Sequence, residues 1–422
     1  MSYSKPRGTY DVYPGGREPN ERPDLWQWVE EAARTFFRRY NYSEIRPPIF
    51  EETQLFVRGV GEASDIVRKE MFDFEDKGGR ALALRPEGTA GVVRAYIEHG
   101  LYKQAQPLKL WYSGPMFRHE RQQKGRYRQH SQIGVEVLGS SDPLVDVEVI
   151  ELLYGIHKAC GVRDEIVYIN SLGDFATRNH YVPELKSYLE KHRSDLDPDS
   201  VSRLQTNPMR VLDSKDKNTR AVLEEAPVIG EFLSQDARND FETVKKGLEA
   251  VGVPYEVDER TVRGLDYYTS TVFEARSSAL GAQDAVGSGG RYNSLIQDLG
   301  GPDLGGIGFG SGVERILLAA AGHETDTSID VFFVTLVAEA RLPALKLAGH
   351  LRSEGFSCDL DYADRSAKGQ FKQANRSGAA FTLVLGEEEL KQGSCTLRDM
   401  SSGEERSVLI ASGPGELLRM LR

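Results

Sequence analysis

Apolar residues Leu25, Trp28, Val29, Ala32, Phe36 and Tyr40 recur at three- and four-residue intervals in DLWQWVEEAARTFFRRY. That spacing predicts one amphipathic helix over residues 24–40, with Pro23 as its start signal. The paired Pro47 and Pro48 of EIRPPIFEE forbid continued helix and suit an extended edge. From 80 to 140, short β-rich runs such as LKLWYSGPMF and QIGVEVLG alternate with turn residues, the pattern of an antiparallel sheet.

Residues 174–250 change character. Leu-dotted, charged segments such as DPDSVSRLQ and ARNDFETVKKGLEAVG carry little β signal and read as a helical insertion. VPYEVD, TVFEAR and GGIGFG then resume the sheet, and GVERILLAAAG follows as a helix. After the polar GHETDTSID, strand-like DVFFVTL, SCDLDY and AAFTLVLG alternate with helices over LPALKLAGHLRSEG and AKGQFKQANRSG. The expectation is an α+β chain: a core over 1–170 and 253–322, interrupted by an insertion at 171–252, and an α/β module at 329–422.

Length agrees, since 422 residues exceed one ordinary core. Hydrophobic content of 39% with 28% charged residues is that of a soluble globular protein. No apolar run approaches the roughly 20 residues that span a bilayer, and MSYSKPRGTYD is too polar for a secretory signal. Cys160, Cys358 and Cys395 are odd in number and far apart, which argues against a disulfide framework or a structural zinc. A cytoplasmic protein without a membrane partner is expected. The net charge of -11 argues against a general nucleic-acid coat, although a local basic surface can still steer a polyanion. From Ile329 onward, 12 Lys and Arg meet 13 Asp and Glu, so most of the acidity lies upstream of the last module.

Against that acidity, FRHERQQKGRYRQHSQ (117–132) packs five Lys or Arg into a short stretch. A solvated hairpin tip has the same composition. In the strand that follows, however, Gln132, Gly134 and Glu136 share one face while Ile133, Val135 and Val137 share the other. The polar face, with its glycine, leaves room for a small ligand. Arg118 ends the preceding apolar run, and Arg126 and Arg128 sit across the loop; arginine suits phosphate because its fork binds bidentately and keeps its charge.

Three further segments stand out. VRGLDYYTSTVFE (262–274) joins Arg263 to Asp266, Tyr267 and Tyr268, although paired tyrosines in a strand also suit a core. RPEGTAGVVRAY (85–96) brackets Gly88 with Glu87 and Thr89 at a strand-to-helix turn, which also reads as a plain helix start. GGIGFGSGVERILLAAAG (305–322) sets close glycines before a helix whose first turn holds Arg315. It fails as a dinucleotide fingerprint, and no GxxxxGK[ST] occurs. No motif singles out a nucleophile or a metal-ligand set, so no protein metal site is expected. Arginines, a few acids and tyrosines suit positioning and charge neutralisation, such as carboxylate attack on a phosphate.

In this order the segments resemble the class II aminoacyl-tRNA synthetases, specifically the histidyl-tRNA synthetase family. RGTYDVYP resembles that family's N-terminal segment, RPPIFEE its motif 1, GPMFRHERQQKGRYRQ its motif 2 and GFGSGVERIL its motif 3. VRGLDYYT resembles the segment particular to the histidine enzymes, and NPMRVLDSK the insertion. The resemblance implies an antiparallel sheet flanked by helices, a homodimer formed through motif 1, and an anticodon-binding domain over 329–422. It implies ATP-dependent attachment of L-histidine to tRNA(His) through a histidyl-adenylate, with Mg2+ accompanying ATP. Arg118 and Arg263 would be the catalytic cations. Arg118, Glu120, Arg126, Arg263 and Arg315 would hold ATP. Glu87, Gly88, Thr89 and Gln132 would receive the amino group of histidine, and Glu136, Tyr267 and Tyr268 would read its imidazole.

The chain departs from the family pattern at His130 and Ser131, at Asn293 and Ser294, and at Ser270, where an aromatic and His, Asp-Gly, and Arg are usual. The rival reading is a catalytically silent synthetase-like regulatory subunit of histidine biosynthesis. Such proteins typically lack both the intact RGLDYY segment and the C-terminal module, and this chain has both. A class II enzyme for another amino acid would have no use for Arg263 to Tyr268 facing Glu136.

Overall fold

The first helix runs Pro23–Arg39, with Pro at its first turn, Asp24 beside it and Arg38 and Arg39 at the far end, charges that complement the helix dipole. Leu25, Val29, Ala33 and Phe37 form its buried seam. Trp28, Ala32, Phe36 and Tyr40 pack on the flank and stay partly exposed. The apolar stripe is thus wider than the sequence reading drew it, with the deepest seam at strict four-residue spacing. The computed structural model describes residues 3–62, 64–120, 125–262, 265–281, 284–320, 322–411 and 413–422. They fall into two units, 1–323 and 324–422.

The first unit is built on an eight-stranded sheet in the order Ser43–Glu44, Leu108–Phe117, Gln129–Leu138, Gly306–Gly312, Ala285–Tyr292, Thr269–Ser277, Glu165–Ser171, Tyr255–Val257. The six inner strands are mutually antiparallel, and a short parallel strand closes each edge. Register places Glu136 opposite Gly308 and Gln132 opposite Gly312. Ile133, Val135 and Val137 enter the core with the helices Pro23–Arg39 and Pro143–Ala159 behind the sheet. Tyr112, Tyr267, Tyr268 and Tyr292 gather in a second cluster that holds none of those three aliphatics. A small sheet of Phe50–Glu52, Ala81–Leu84 and Phe72–Glu75 leads into the helix Thr89–Glu98.

The helices Phe175–Lys191, Pro198–Thr206, Lys217–Leu223 and Gln235–Val251 each begin at a capping side chain: Asp174, Asp197, Asp216 and Ser234 accept from first-turn backbone N–H groups. Tyr181, Leu185, Leu189, Leu204, Val211 and Leu223 make a separate small core for the first three. Gln235–Val251 differs: its Phe241, Val244 and Leu248 join the main core, and it packs along Pro143–Ala159.

In the second unit Cys358–Leu360, Val331–Thr335 and Phe381–Leu385 are parallel, and an antiparallel pair, Ser394–Asp399 and Glu405–Leu409, extends the sheet. Arg341–Ser353, Ala367–Arg376, Glu387–Gln392 and Gly415–Leu421 are α-helices of this unit. Among the described residues no helix is long and apolar enough to cross a membrane.

Candidate active site

Beside the Gln132 face of the sheet lies a cavity of about 640 Å³, next to a smaller one of about 210 Å³. Arg118, Glu120, Arg126, Gln132, Ser288 and Gly310 line both, so the two are lobes of one cleft. Glu87, Gly88, Thr89, Tyr267 and Tyr268 line the larger lobe, and Arg315 lines the smaller. The sequence candidates therefore converge, with two qualifications. Arg263 lies outside the described residues, as do Arg121 and Lys124. Glu136 has no exposed surface and sits beneath the cavity wall.

The floor of the larger lobe is a carboxyl and hydroxyl cluster. Thr89 Oγ1 donates to Glu136 Oε1 at 2.7 Å, Tyr112 OH reaches the same oxygen at 3.4 Å, and Tyr292 OH donates to Oε2. Burial pushes the Glu136 carboxyl up to about 8, even with these three donors. Glu87 accepts from the backbone N–H of Thr89 at 2.6 Å and Ala90 at 2.9 Å, which fastens the helix start; burial raises its pKa as well. Tyr267 stands 4.6 Å from Tyr268 and 5.6 Å from Tyr292, ring centre to centre. Tyr112 and Tyr292 escaped the sequence reading, because only strand register brings LKLWYSG and GGRYN onto Glu136.

One expectation changes outright. The room at Gly134 is filled by protein, not left for a ligand: a Cβ there would stand 2.4 Å from Tyr112 Cζ and 2.7 Å from Phe309 O. Gly134→Ala should therefore push the Tyr112 ring off Glu136 and cost about 1–3 kcal/mol of stability, measurable by chemical denaturation. An unchanged midpoint would show that the ring moves aside freely.

The smaller lobe is glycine-lined and sets three arginines, Arg118, Arg126 and Arg315, among Glu120, Glu274 and Glu314. Arg118 Nε donates to Pro86 O at 2.8 Å, which holds its guanidinium at the junction of the lobes. Arg126 pairs with Glu120 at 2.9 Å. Arg315 Nε donates to Ala285 O, and burial lowers the guanidinium's pKa, with Arg126 adding to the effect. His130, one of the departures from the family pattern, borders this lobe, and burial with Arg118 nearby pushes its imidazole down to about 3. It presents a neutral ring. Arg128 turns away, its backbone N–H donating to Gly8 O at 2.8 Å.

Ser311, His157 and Glu165 form a nucleophile-like relay: Ser311 Oγ lies 2.7 Å from His157 Nε2, and His157 Nδ1 meets Glu165. Ser311 and His157 are wholly buried, and Ser311 Oγ also reaches Val286 O at 3.1 Å. No carbonyl substrate can approach that hydroxyl. The relay is an internal brace between the sheet and the helix Pro143–Ala159, and acyl transfer through a serine is not what this cleft does.

Comparisons with known proteins identify the family. Residues 21–316 match the family model described as histidyl-tRNA synthetase, and residues 330–420 match that of an anticodon binding domain. A histidine–tRNA ligase of Rubrobacter xylanophilus is 68% identical over the full length of both chains. One from Halothermothrix orenii is 46% identical, again over all of both. The crystal structure of apo S. aureus histidyl-tRNA synthetase superposes with a TM-score of 0.82 at 38% identity, covering 100% of this chain and 99% of that one. A two-lobed cleft of arginines, acids and tyrosines on an antiparallel sheet, the order of its motifs and full-length identity to such ligases lead to one conclusion: the chain belongs to the histidyl-tRNA synthetase family.

Proposed function

We propose that the protein activates L-histidine with ATP and transfers it to tRNA(His), the larger lobe holding the amino acid and the smaller one the nucleotide. The observation that carries this is the shared wall. Arg118 and Gln132 border both lobes, so a carboxylate held in one meets a phosphate held in the other at a fixed cation. A histidine carboxylate oxygen attacks the α-phosphorus, the bond to the β-phosphate oxygen breaks, and pyrophosphate leaves. A hydroxyl of the tRNA's terminal ribose then attacks the adenylate carbonyl and AMP leaves.

Arg118 and Arg263 neutralise the α-phosphate, while Glu120, Arg126 and Arg315 hold the adenine and the outer phosphates. Glu87, Gly88, Thr89 and Gln132 receive the α-amino group. Tyr267 and Tyr268 border the imidazole, and Glu136 acts from beneath by orienting the Thr89, Tyr112 and Tyr292 hydroxyls. A two-nitrogen ring needs such opposed partners, and an analogue lacking one leaves buried polar groups unpaired. Magnesium enters with ATP, held mainly by the phosphates with one carboxylate beside them.

Full-length likeness to histidine–tRNA ligases at 46–68% identity, including the C-terminal module, favours the ligase over the silent regulatory subunit. Histidine-dependent ATP–pyrophosphate exchange followed by charging of tRNA(His) tests the reading; exchange with another amino acid, or none, would sink it. Removing residues 329–422, a unit with its own core, is expected to impair tRNA charging far more than exchange. Equal loss of both would count against a separate tRNA-binding role. We also propose a cytoplasmic homodimer formed through the motif 1 region, for which sedimentation should give twice the 47.0 kDa chain mass.

A further inference from the structure

Glu314 precedes Arg315 in the first turn of the helix Val313–Ala319, is buried, and borders the smaller lobe. Its Oε1 accepts from the backbone N–H of Ser131 at 2.8 Å and from the hydroxyl of Tyr10, 304 residues away in sequence. Its Oε2 is buried without a hydrogen-bond partner among the described residues. Three separate stretches therefore meet at one carboxyl: the N-terminal segment, the strand that follows the basic hairpin and the helix that carries Arg315. The N-terminal segment is itself fastened to the hairpin. Tyr10 packs edge-on against Tyr127 at 4.6 Å, Gly8 O accepts from the Arg128 N–H, and Gly8 lies at φ +86 with Arg128's methylenes where a Cβ would project.

We propose that Tyr10 is a positioning residue for the nucleotide lobe, acting through Glu314 to hold the Ser131 strand and the Arg315 helix at the separation that ATP requires. This rests on the assignment of the smaller lobe to ATP. The physical reason is that strand pairing between the two walls ends at Gln132 and Gly312, and just beyond that point the buried acid bonds the helix's first turn to Ser131. Burial pushes the Glu314 carboxyl up to about 7, and Tyr10 is its principal hydrogen-bonding counterweight. Without the Tyr10 hydroxyl, the acid loses a charge-assisted bond and with it the incentive to keep the first turn close to Ser131. Tyr10 touches neither lobe, so it works at one remove from the substrates.

Tyr10→Phe keeps the ring against Tyr127 and deletes only the donor. In histidine-dependent ATP–pyrophosphate exchange its KM for ATP should rise roughly 10-fold, the weight of one hydrogen bond to a charged group, with the KM for histidine unchanged. Glu314→Ala should raise the KM for ATP at least as far, and the double variant should be no worse than Glu314→Ala alone, because both remove the same bond. Unchanged ATP KM in Tyr10→Phe, parallel rises in both KM values, or additive losses in the double variant would each overturn the proposal. If the wild-type protein gave no histidine-dependent exchange, the assignment of the cleft would fall first, which is a distinct result.

Discussion

Arg118→Ala is expected to slow histidine-dependent ATP–pyrophosphate exchange by roughly two to three orders of magnitude, the range for losing one preorganised charge from a phosphoryl transition state. Arg118 borders both lobes, as Arg126 does, and its Nε–H bond to Pro86 O holds the guanidinium in place before substrates arrive. Charge that develops on the α-phosphate is met without rearrangement. The side chain is about a fifth exposed and its partner Glu120 stands 4.0 Å away, so the fold does not lean on it. The thermal midpoint should move little. Arg118→Lys should recover only part of the rate, because a single ammonium cannot both bond Pro86 O and meet phosphate with a fork. Exchange within a few-fold of wild type for the alanine variant would remove Arg118 from the reaction.

Glu136→Gln should separate stability from activity. In the folded protein burial raises this carboxyl from 4.5 to about 8, so between those values the native state holds a proton that the unfolded chain has released. Stability contributed at this position therefore falls as pH climbs from about 4.5 towards 8. Glutamine has no charge to bury, so the variant should melt higher than wild type at pH 8, by roughly 2–5 °C for a unit of this size. The two should converge near pH 5. The same change replaces an oxygen that accepts from Tyr292 by an amide that needs acceptors, so the hydroxyl set under the larger lobe is misoriented. The KM for histidine is expected to rise by about 10- to 100-fold, as for a mispaired buried polar group. A variant less stable at pH 8 would mean that Glu136 is held charged in the folded protein, and an unchanged KM would mean that the hydroxyls under the larger lobe do not depend on it.

Much of the cleft was legible before folding was considered, because strand alternation alone puts Gln132 and Glu136 on the face opposite Ile133, Val135 and Val137. The close-set residues Glu87, Gly88 and Thr89 were likewise visible, since a strand-to-helix turn leaves its own capping signals. Other parts were illegible for stated reasons. The pair Ser394–Asp399 and Glu405–Leu409 leaves little signal along the line, because its outer strand is mostly exposed and so carries charged residues where an inner strand would show apolar ones. Gln235–Val251 reads along the line like the insertion because its exposed face is as charged as its neighbours', while Phe241, Val244 and Leu248 tie it to the main core.

The chain's local chemistry thus determined its elements, the order of its motifs and the kind of reaction they suit: periodicity, caps and turn residues act over a few neighbours and can be read along a line. Tertiary structure decided what depends on residues far apart in that line. It filled the space at Gly134 with Tyr112, sank Glu136 below the cavity under hydroxyls from three other segments, buried a serine–histidine–glutamate relay beyond reach of substrate, and brought Tyr10 onto Glu314. Strand register and burial set these pairings. Both arise only when the sheet closes and water leaves, which is also when a carboxyl's proton affinity is decided.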